Sequence, residues 1–274
     1  NIDDEHGLDF LQFKVENLLP YSLKDLSLCS LHRDSVSLVF GDTTIRVPLI
    51  GLFNVYNILA CITLARAYGI NLNVIDRALR NIPPIAGRVE QFVSSKKAVK
   101  QITAVVDYAH TPDSLEKLYQ AFPDNYKVCI LGNTGGGRDT WKRPEMGAIA
   151  DKYCDQIILT DEDPYDENPR AIVEQMERGI ANKHKLQIIM DRREAIASAI
   201  KIAPEGSCVL ISGKGTDPYI MGPDGTKLPW SDAEVVKEEL SKLAEKIEIT
   251  TEPQYHDIKS VSYTHLTLPT NREV

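Results

Sequence analysis

Four short stretches carry the residues of this 274-residue chain whose types and spacing could do chemistry. In VVDYAHTPDSLEKL, Asp107 and His110 stand three residues apart, before a helix that Pro112 can start and Thr111 or Asp113 can cap. A carboxylate and an imidazole so placed can hold or move a proton, or simply serve as capping and surface groups. In GNTGGGRDTWKRPEMG, the backbone N–H groups of Gly135 to Gly137 and the cations Arg138, Lys142 and Arg143 offer an anion site at the start of a helix. It is not a P-loop, which needs Gly-Lys-Ser/Thr after the glycines, whereas Arg138 and Asp139 follow here. The Arg138 guanidinium could grip a carboxylate through two parallel N–H bonds, a geometry that lysine does not reproduce. TDEDPYDENPR crowds Asp161, Glu162, Asp163, Asp166 and Glu167 into one loop. That loop is either a solvated cap for the helix starting at Pro169 or a face turned toward a cation, such as the amine of an amino acid. SGKGTDPY adds Gly213 and Gly215, which allow close backbone approach, and the Asp217 carboxylate.

The elements that must position these stretches follow from pattern. Strands are expected at Ala104–Asp107, Lys127–Leu131, Gln156–Thr160, Gln187–Met190 and Cys208–Ile211, with helices beginning near Asp113, Arg143, Pro169, Arg192 and Asp232. This alternation predicts an α/β fold: a Rossmann-like, mostly parallel, doubly wound sheet whose site lies at the carboxyl ends of its strands, where all four stretches fall. Upstream, Leu18 to Pro48 predicts antiparallel strands around a turn at Gly41 and Asp42. A helix is expected over Asn54–Tyr68, stopped by Gly69, and a shorter one over Val74–Leu79. Pro83, Pro84 and Gly87 mark a hinge between two domains.

Composition narrows the function classes. A formal net charge of -8 argues against duplex nucleic acid as a partner, because neutralising phosphates needs a basic face. The scattered cysteines, Cys29, Cys61, Cys129, Cys154 and Cys208, have no metal-ligand spacing and read as buried free thiols of a cytoplasmic protein. No run is long and apolar enough for a membrane span, and no residue is expected to ligate a resident metal. The chain opens on Asn1 in the middle of apparent structure, which suggests a fragment. Residues 250–274 read as a fraying linker and tail. Val261–Thr270 resembles a translated sequencing-library adapter, so Val261–Val274, including His265, is set aside from functional reasoning.

Taken in order, NIDDEHG, PLIGLFNVYNILA, GRVEQF, VVDYAHTPDSLEKL, GGGRDTWKRPEMGAIA, SGKGTDPY and WSD resemble the Mur ligases, most closely those adding the third amino acid of the peptidoglycan stem. The resemblance runs from Asn1 to about Leu243. It implies that residues 1–86 are the back part of a central ATP-binding domain without its P-loop half, and that residues 87–249 are the amino-acid-binding third domain. The implied reaction uses ATP and Mg2+ to phosphorylate the carboxylate of a UDP-linked muramoyl dipeptide, after which the amine of a free amino acid attacks the acyl phosphate. The enzyme would be a cytoplasmic monomer, and this chain alone would hydrolyse no ATP.

By the same resemblance, Asn57 lies against adenine with Asn54 beside it, and Arg88 reaches the ATP phosphates. Asp107, Tyr108 and His110 face the nucleotide across a closing cleft, and Arg138 holds the carboxylate of the incoming amino acid. Arg88, Asp107 and His110 are the implied catalytic set, while Glu162, Asp163, Tyr165, Gly213 and Asp217 join Arg138 on the substrate. Members adding meso-diaminopimelate carry Asp-Asn-Pro-Arg where this chain has Glu162, Asp163, Pro164 and Tyr165. Tyr165 cannot pair with the distal carboxylate of diaminopimelate, and Glu162 and Asp163 would repel it, so the expected substrate is L-lysine or another diamine. Arg170, in the later DENPR, belongs to the next helix start. The alternatives are a related ligase of the folylpolyglutamate or cyanophycin type, or a ligand-binding Rossmann-like module without turnover. A nicotinamide oxidoreductase is disfavoured, because no clean G-x-G-x-x-G joins the first strand and helix of the sheet.

Overall fold

The structure is a computed structural model and describes residues 1–137 and 139–243; Arg138, the tail and its His265 lie outside the described residues. A short helix α1 (Gly7–Phe10) precedes three antiparallel strands, β1 (Leu28–Leu31), β2 (Val36–Phe40) and β3 (Thr43–Val47), and two helices, α2 (Leu52–Ala67) and α3 (Leu72–Arg80). The β2–β3 turn falls where the sequence places it, with Phe40 opposite Thr43 and Gly41 at φ 56°. Strand alternation turns Val36, Leu38, Ile45 and Val47 inward, against Val55, Ile58, Leu59 and Ile62 of α2 and Ile75 of α3. Helix α2 starts before Asn54 because Gly51, at φ 86°, redirects the chain there; a side chain at that position would collide with the Phe53 ring.

After Pro83 and Pro84 come β4 (Glu90–Val93), β5 (Thr103–Val106), α4 (Pro112–Gln120), β6 (Lys127–Leu131), α5 (Lys142–Tyr153), β7 (Gln156–Leu159) and α6 (Pro169–Glu177). They are followed by β8 (Leu186–Ile188), α7 (Arg192–Ile202), β9 (Cys208–Ile211), the hairpin β10 (Tyr219–Met221) and β11 (Lys227–Pro229), and α8 (Asp232–Ser241). The six-stranded sheet has the order β4-β5-β9-β6-β7-β8 and is parallel except for β4. Side chains alternate between its two faces. Val105, Cys129, Leu131 and Leu210 pack under α4, α5 and α6, while Ala104, Val106, Ile130 and Ile211 pack under α7 and α8. Helix starts follow the local chemistry. The Thr111 hydroxyl accepts the Ser114 N–H with Pro112 next in line, the Asn168 side chain accepts from Arg170 and Ala171 before Pro169, and Asp191 accepts from Glu194.

Three features depart from expectation. Glu90–Val93, for which no element was expected, pairs antiparallel with β5 as an edge strand, and the β10–β11 hairpin was not foreseen at all. Both are short and bury little, so neither leaves a strong alternation in sequence. The expected free thiols also need correction, because Cys129 and Cys154 form a disulfide with a Cα–Cα distance of 6.1 Å. Cys129 faces the helix layer from β6, and the end of α5 delivers Cys154 into the same buried cluster. Cys29, Cys61 and Cys208 are free. Among the described residues, no helix is long and apolar enough to cross a membrane.

Candidate functional site

The strand ends bring the stretch around Arg88, the Asp107–His110 stretch and the Gly213–Asp217 turn into one cluster. Asp107 follows β5, and its main-chain N–H donates to the Ile211 carbonyl of the neighbouring strand at 2.9 Å. Its carboxylate accepts the N–H groups of Val89 at 2.7 Å and Ala109 at 2.8 Å. Burial raises the Asp107 carboxyl above its ordinary range, against the pull of those two N–H groups and of Arg88 and His110. With both oxygens engaged by backbone, the Asp107 carboxylate pins Val89, which holds a left-handed φ of 50°, and so fixes the backbone beside Arg88.

Arg88, beside Val89, lays its guanidinium 4.7 Å from the centroid of the Tyr108 ring, and that ring meets His110 edge-on at 4.9 Å. The Nδ1 of His110 lies 2.8 Å from the Tyr108 carbonyl. A carbonyl can only accept, so Nδ1 carries a proton, and in the tautomer this selects Nε2 is the acceptor. Two glycines let these segments touch. A Cβ at Gly87 would sit 2.6 Å from Gly215 and Thr216 backbone atoms, and one at Gly215 would sit 2.8 Å from the Tyr108 side chain. Arg88, Tyr108 and His110 therefore share one face.

The acidic loop is less open than expected. Lys214, 1% exposed, donates to both Asp163 oxygens at 2.8 and 2.7 Å, to Asp217 at 3.2 Å and to the Tyr219 carbonyl at 2.6 Å. Asp163 also accepts the Met221 N–H at 2.8 Å, and its own carbonyl accepts the Gly135 N–H at 2.7 Å. Glu162 is buried beneath Gly213, where a Cβ would collide with its Oε2. Its Oε1 accepts from Thr134 at 3.2 Å, while Oε2 has no partner. Burial pushes this carboxyl up to about 7, with Asp163 adding to the shift and Arg192, Lys214 and Thr134 opposing it. Asp217, with its side chain 42% exposed, is the candidate carboxylate of this group that remains open to a ligand. Tyr165 takes a left-handed φ of 50°, and its N–H donates to the Met221 carbonyl at 3.0 Å.

Arg143, grouped above with the anion-binding cations, has another job. It is fully buried and donates to Asn133, Gln175, the Thr134 carbonyl and both oxygens of Glu167, the shortest at 2.6 Å. That donation holds the Glu167 carboxyl below its usual range. Arg143 thus braces the glycine-rich turn from below, leaving Arg138, outside the described residues, as the candidate grip on a carboxylate. Arg170 pairs with Glu174 on α6 at 3.3 Å, as its place at a helix start implied. Lys214 and the buried Arg192–Asp232 pair were missed; the one signal for Lys214 is its position between the two glycines of SGKGTDPY.

The structure does not bring Asn54 and Asn57 to this cluster. The Asn54 amide donates to the Ile50 carbonyl and that of Asn57 to Asn54, at the start of α2. Asn57 lines a separate cavity of about 920 Å3, whose other wall includes Thr103, Lys117, Phe122, Asn125 and Cys208, and so lies toward the starts of the strands. Among the described residues, Arg88 and His110 do not line that cavity. Among the described residues, no group of three His, Cys, Asp or Glu gathers to hold a metal ion.

Comparison with known proteins gives this geometry a context. Residues 87–215 match the family described as Mur ligase, glutamate ligase domain. A UDP-N-acetylmuramoyl-L-alanyl-D-glutamate–2,6-diaminopimelate ligase of Thermosynechococcus vestitus is 41% identical over 74% of this chain and 40% of its own length. The protein of the same description from Aquifex aeolicus is 39% identical over 87% of the chain and 50% of its own length. A solved structure with that description superposes with a TM-score of 0.55 at 29% identity, covering 79% of this chain and 45% of the other. The chain thus spans half or less of the length of each of these three. The expected preference for L-lysine finds no support in these names, since both curated relatives are described as diaminopimelate ligases. The structure also removes one premise of that expectation. The two carboxylates expected to repel a distal carboxylate are masked, Asp163 by Lys214 and Glu162 by burial. The folylpolyglutamate-type and non-catalytic alternatives are not favoured either.

Proposed function

This chain belongs to the Mur ligase family through its glutamate ligase domain, and from that premise we propose that it is the amino-acid-adding part of a ligase of peptidoglycan precursor synthesis. The proposed reaction joins 2,6-diaminopimelate to UDP-N-acetylmuramoyl-L-alanyl-D-glutamate. The observation that carries the reading is the strand-end cluster, in which Arg88, Tyr108 and His110 share a face with the Gly213–Asp217 turn and the glycine-rich turn is tied to the acidic loop. A cation and a ring nitrogen at one edge suit a phosphorylated acceptor; backbone N–H groups and a carboxylate at the other suit an amino acid.

In this reading residues 1–86 are the back of the ATP-binding domain and residues 87–249 the amino-acid domain. ATP, when bound, supplies the phosphoryl group that turns the acceptor carboxylate into a good leaving site. Arg88 meets the negative charge that builds there, His110 Nε2 is placed to accept a proton, Arg138 orients the incoming carboxylate, and Asp217 holds an amine. Fixing the backbone beside Arg88 through Asp107 matters because holding two reactants in register can supply about 7–11 kcal/mol of a barrier.

The test is amino-acid-dependent phosphate release by the full-length gene product with UDP-N-acetylmuramoyl dipeptide, ATP and Mg2+. Turnover is expected with meso-diaminopimelate and not with L-lysine or L-ornithine, and Arg88→Ala is expected to abolish it while leaving the thermal midpoint unchanged. Release with L-lysine alone would overturn the substrate assignment, and silence with every amino acid would overturn the ligase reading.

A further inference from the structure

Diaminopimelate has an amino-acid group at each end, so a site built for it must receive a second carboxylate far from the reacting amine. Lysine lacks that group. The acidic loop runs between two neighbours: the Gly135 N–H of the glycine-rich turn donates to the Asp163 carbonyl on one side, and the Met221 N–H of the β10–β11 hairpin donates to the Asp163 carboxylate on the other. Tyr165 and Asp166 are tied to the same hairpin, Tyr165 N–H to the Met221 carbonyl at 3.0 Å and Asp166 as acceptor from the Asp224 N–H at 2.8 Å. A ligand whose reacting end lies at the glycine-rich turn and which crosses this loop therefore arrives at the hairpin.

The cations built into the loop's support are already committed. Lys214 serves Asp163 and Asp217, Arg143 serves Glu167, and Arg192 serves Asp232. Lys227 is different. It stands directly opposite Met221 in the hairpin register, is exposed, and pairs with no carboxylate among the described residues. Its ammonium rests 5.6 Å from the centroid of the Tyr219 ring, a contact that restrains the side chain and leaves its N–H donors free. Asp217, two residues before the hairpin, adds an open carboxylate to the same module.

We infer that Lys227 is a specificity-determining residue that receives the distal carboxylate of diaminopimelate, the function that Tyr165 cannot perform. The inference rests on the diaminopimelate reading proposed above.

Titration calorimetry of the chain with meso-diaminopimelate and with L-lysine, on wild type, Lys227→Met and Lys227→Arg, tests it. Wild type is expected to bind diaminopimelate more tightly than lysine. Lys227→Met should weaken diaminopimelate by about fivefold, the upper range for a solvent-exposed charge pair, and leave lysine unchanged. Lys227→Arg should retain the preference, and both variants should keep the wild-type thermal midpoint. Undiminished diaminopimelate binding in Lys227→Met, or an equal loss for both ligands, would overturn the role of Lys227 while leaving the proposed function standing. A wild-type chain that binds lysine as tightly as diaminopimelate, or binds neither, would overturn the substrate reading and this inference with it.

Discussion

Lys214→Met tests the idea that one buried ammonium holds three segments of the site together. The wild-type amine touches Asp163 twice, Asp217 once and the Tyr219 carbonyl once, at 2.6 to 3.2 Å. Methionine fills much of the same space but leaves Asp163, 5% exposed, with only the Met221 N–H on one oxygen. Removing one partner of a buried pair costs about 3–5 kcal/mol, because the other charge stays buried without compensation. Whole domains are stable by about 5–15 kcal/mol, so the loss is a large share of the total. For a domain of this size it corresponds to a fall in thermal midpoint of about 6–20 °C. The assay is thermal unfolding followed by circular dichroism at pH 7 for wild type, Lys214→Met, Asp163→Asn and the double variant. The double variant should lose less than the two single losses added together, because each single change strands the partner that the other removes. Hydrogen exchange should rise in residues 161–167 and 213–229 together. A Lys214→Met protein within about 1 kcal/mol of wild type would refute the reasoning, since no buried pair of this geometry should be so cheap to break.

Glu162 makes stability depend on pH. Its folded carboxyl titrates at about 7 against an ordinary 4.5, so the folded state keeps a proton that the unfolded chain releases. Its contribution is fully present below the ordinary value and is lost as pH rises through the folded one. Glu162→Gln is therefore expected to raise the thermal midpoint relative to wild type at pH 8 and not at pH 5; an equal difference at both would remove the carboxyl as the source. The Cys129–Cys154 bond encloses the glycine-rich turn with a sequence separation of 25, which the chain-entropy estimate values at about 3–4 kcal/mol. Thiol titration of the denatured, unreduced chain should find Cys29, Cys61 and Cys208 alone, and reductant should lower the midpoint by roughly 10 °C. Five titratable thiols before reduction would contradict the bond.

The sequence by itself determined the parallel sheet, the helix starts and the gathering of the reactive stretches at strand ends. These depend on local signals: short continuous apolar runs in β6 and β9, proline and a capping side chain before α4 and α6, and the apolar spacing of α2. They are written within ten residues or so of where they act. Only the tertiary structure decided which charges were available. Arg143 and Arg138 look alike in sequence, as do Glu162, Asp163 and Asp217, because a side chain carries no local mark of what will be packed over it. Arg143 is consumed by Glu167 from the far side of a loop, Asp163 by a lysine 51 residues away, and Glu162 is sealed under Gly213. The free energy of an ionised group is set by solvent access and by partners distant in sequence. The same limit hid the antiparallel edge strand, the hairpin that carries Lys227 and the cavity lined by Asn57 but not by His110, each of which depends on pairing or packing partners that local pattern does not name.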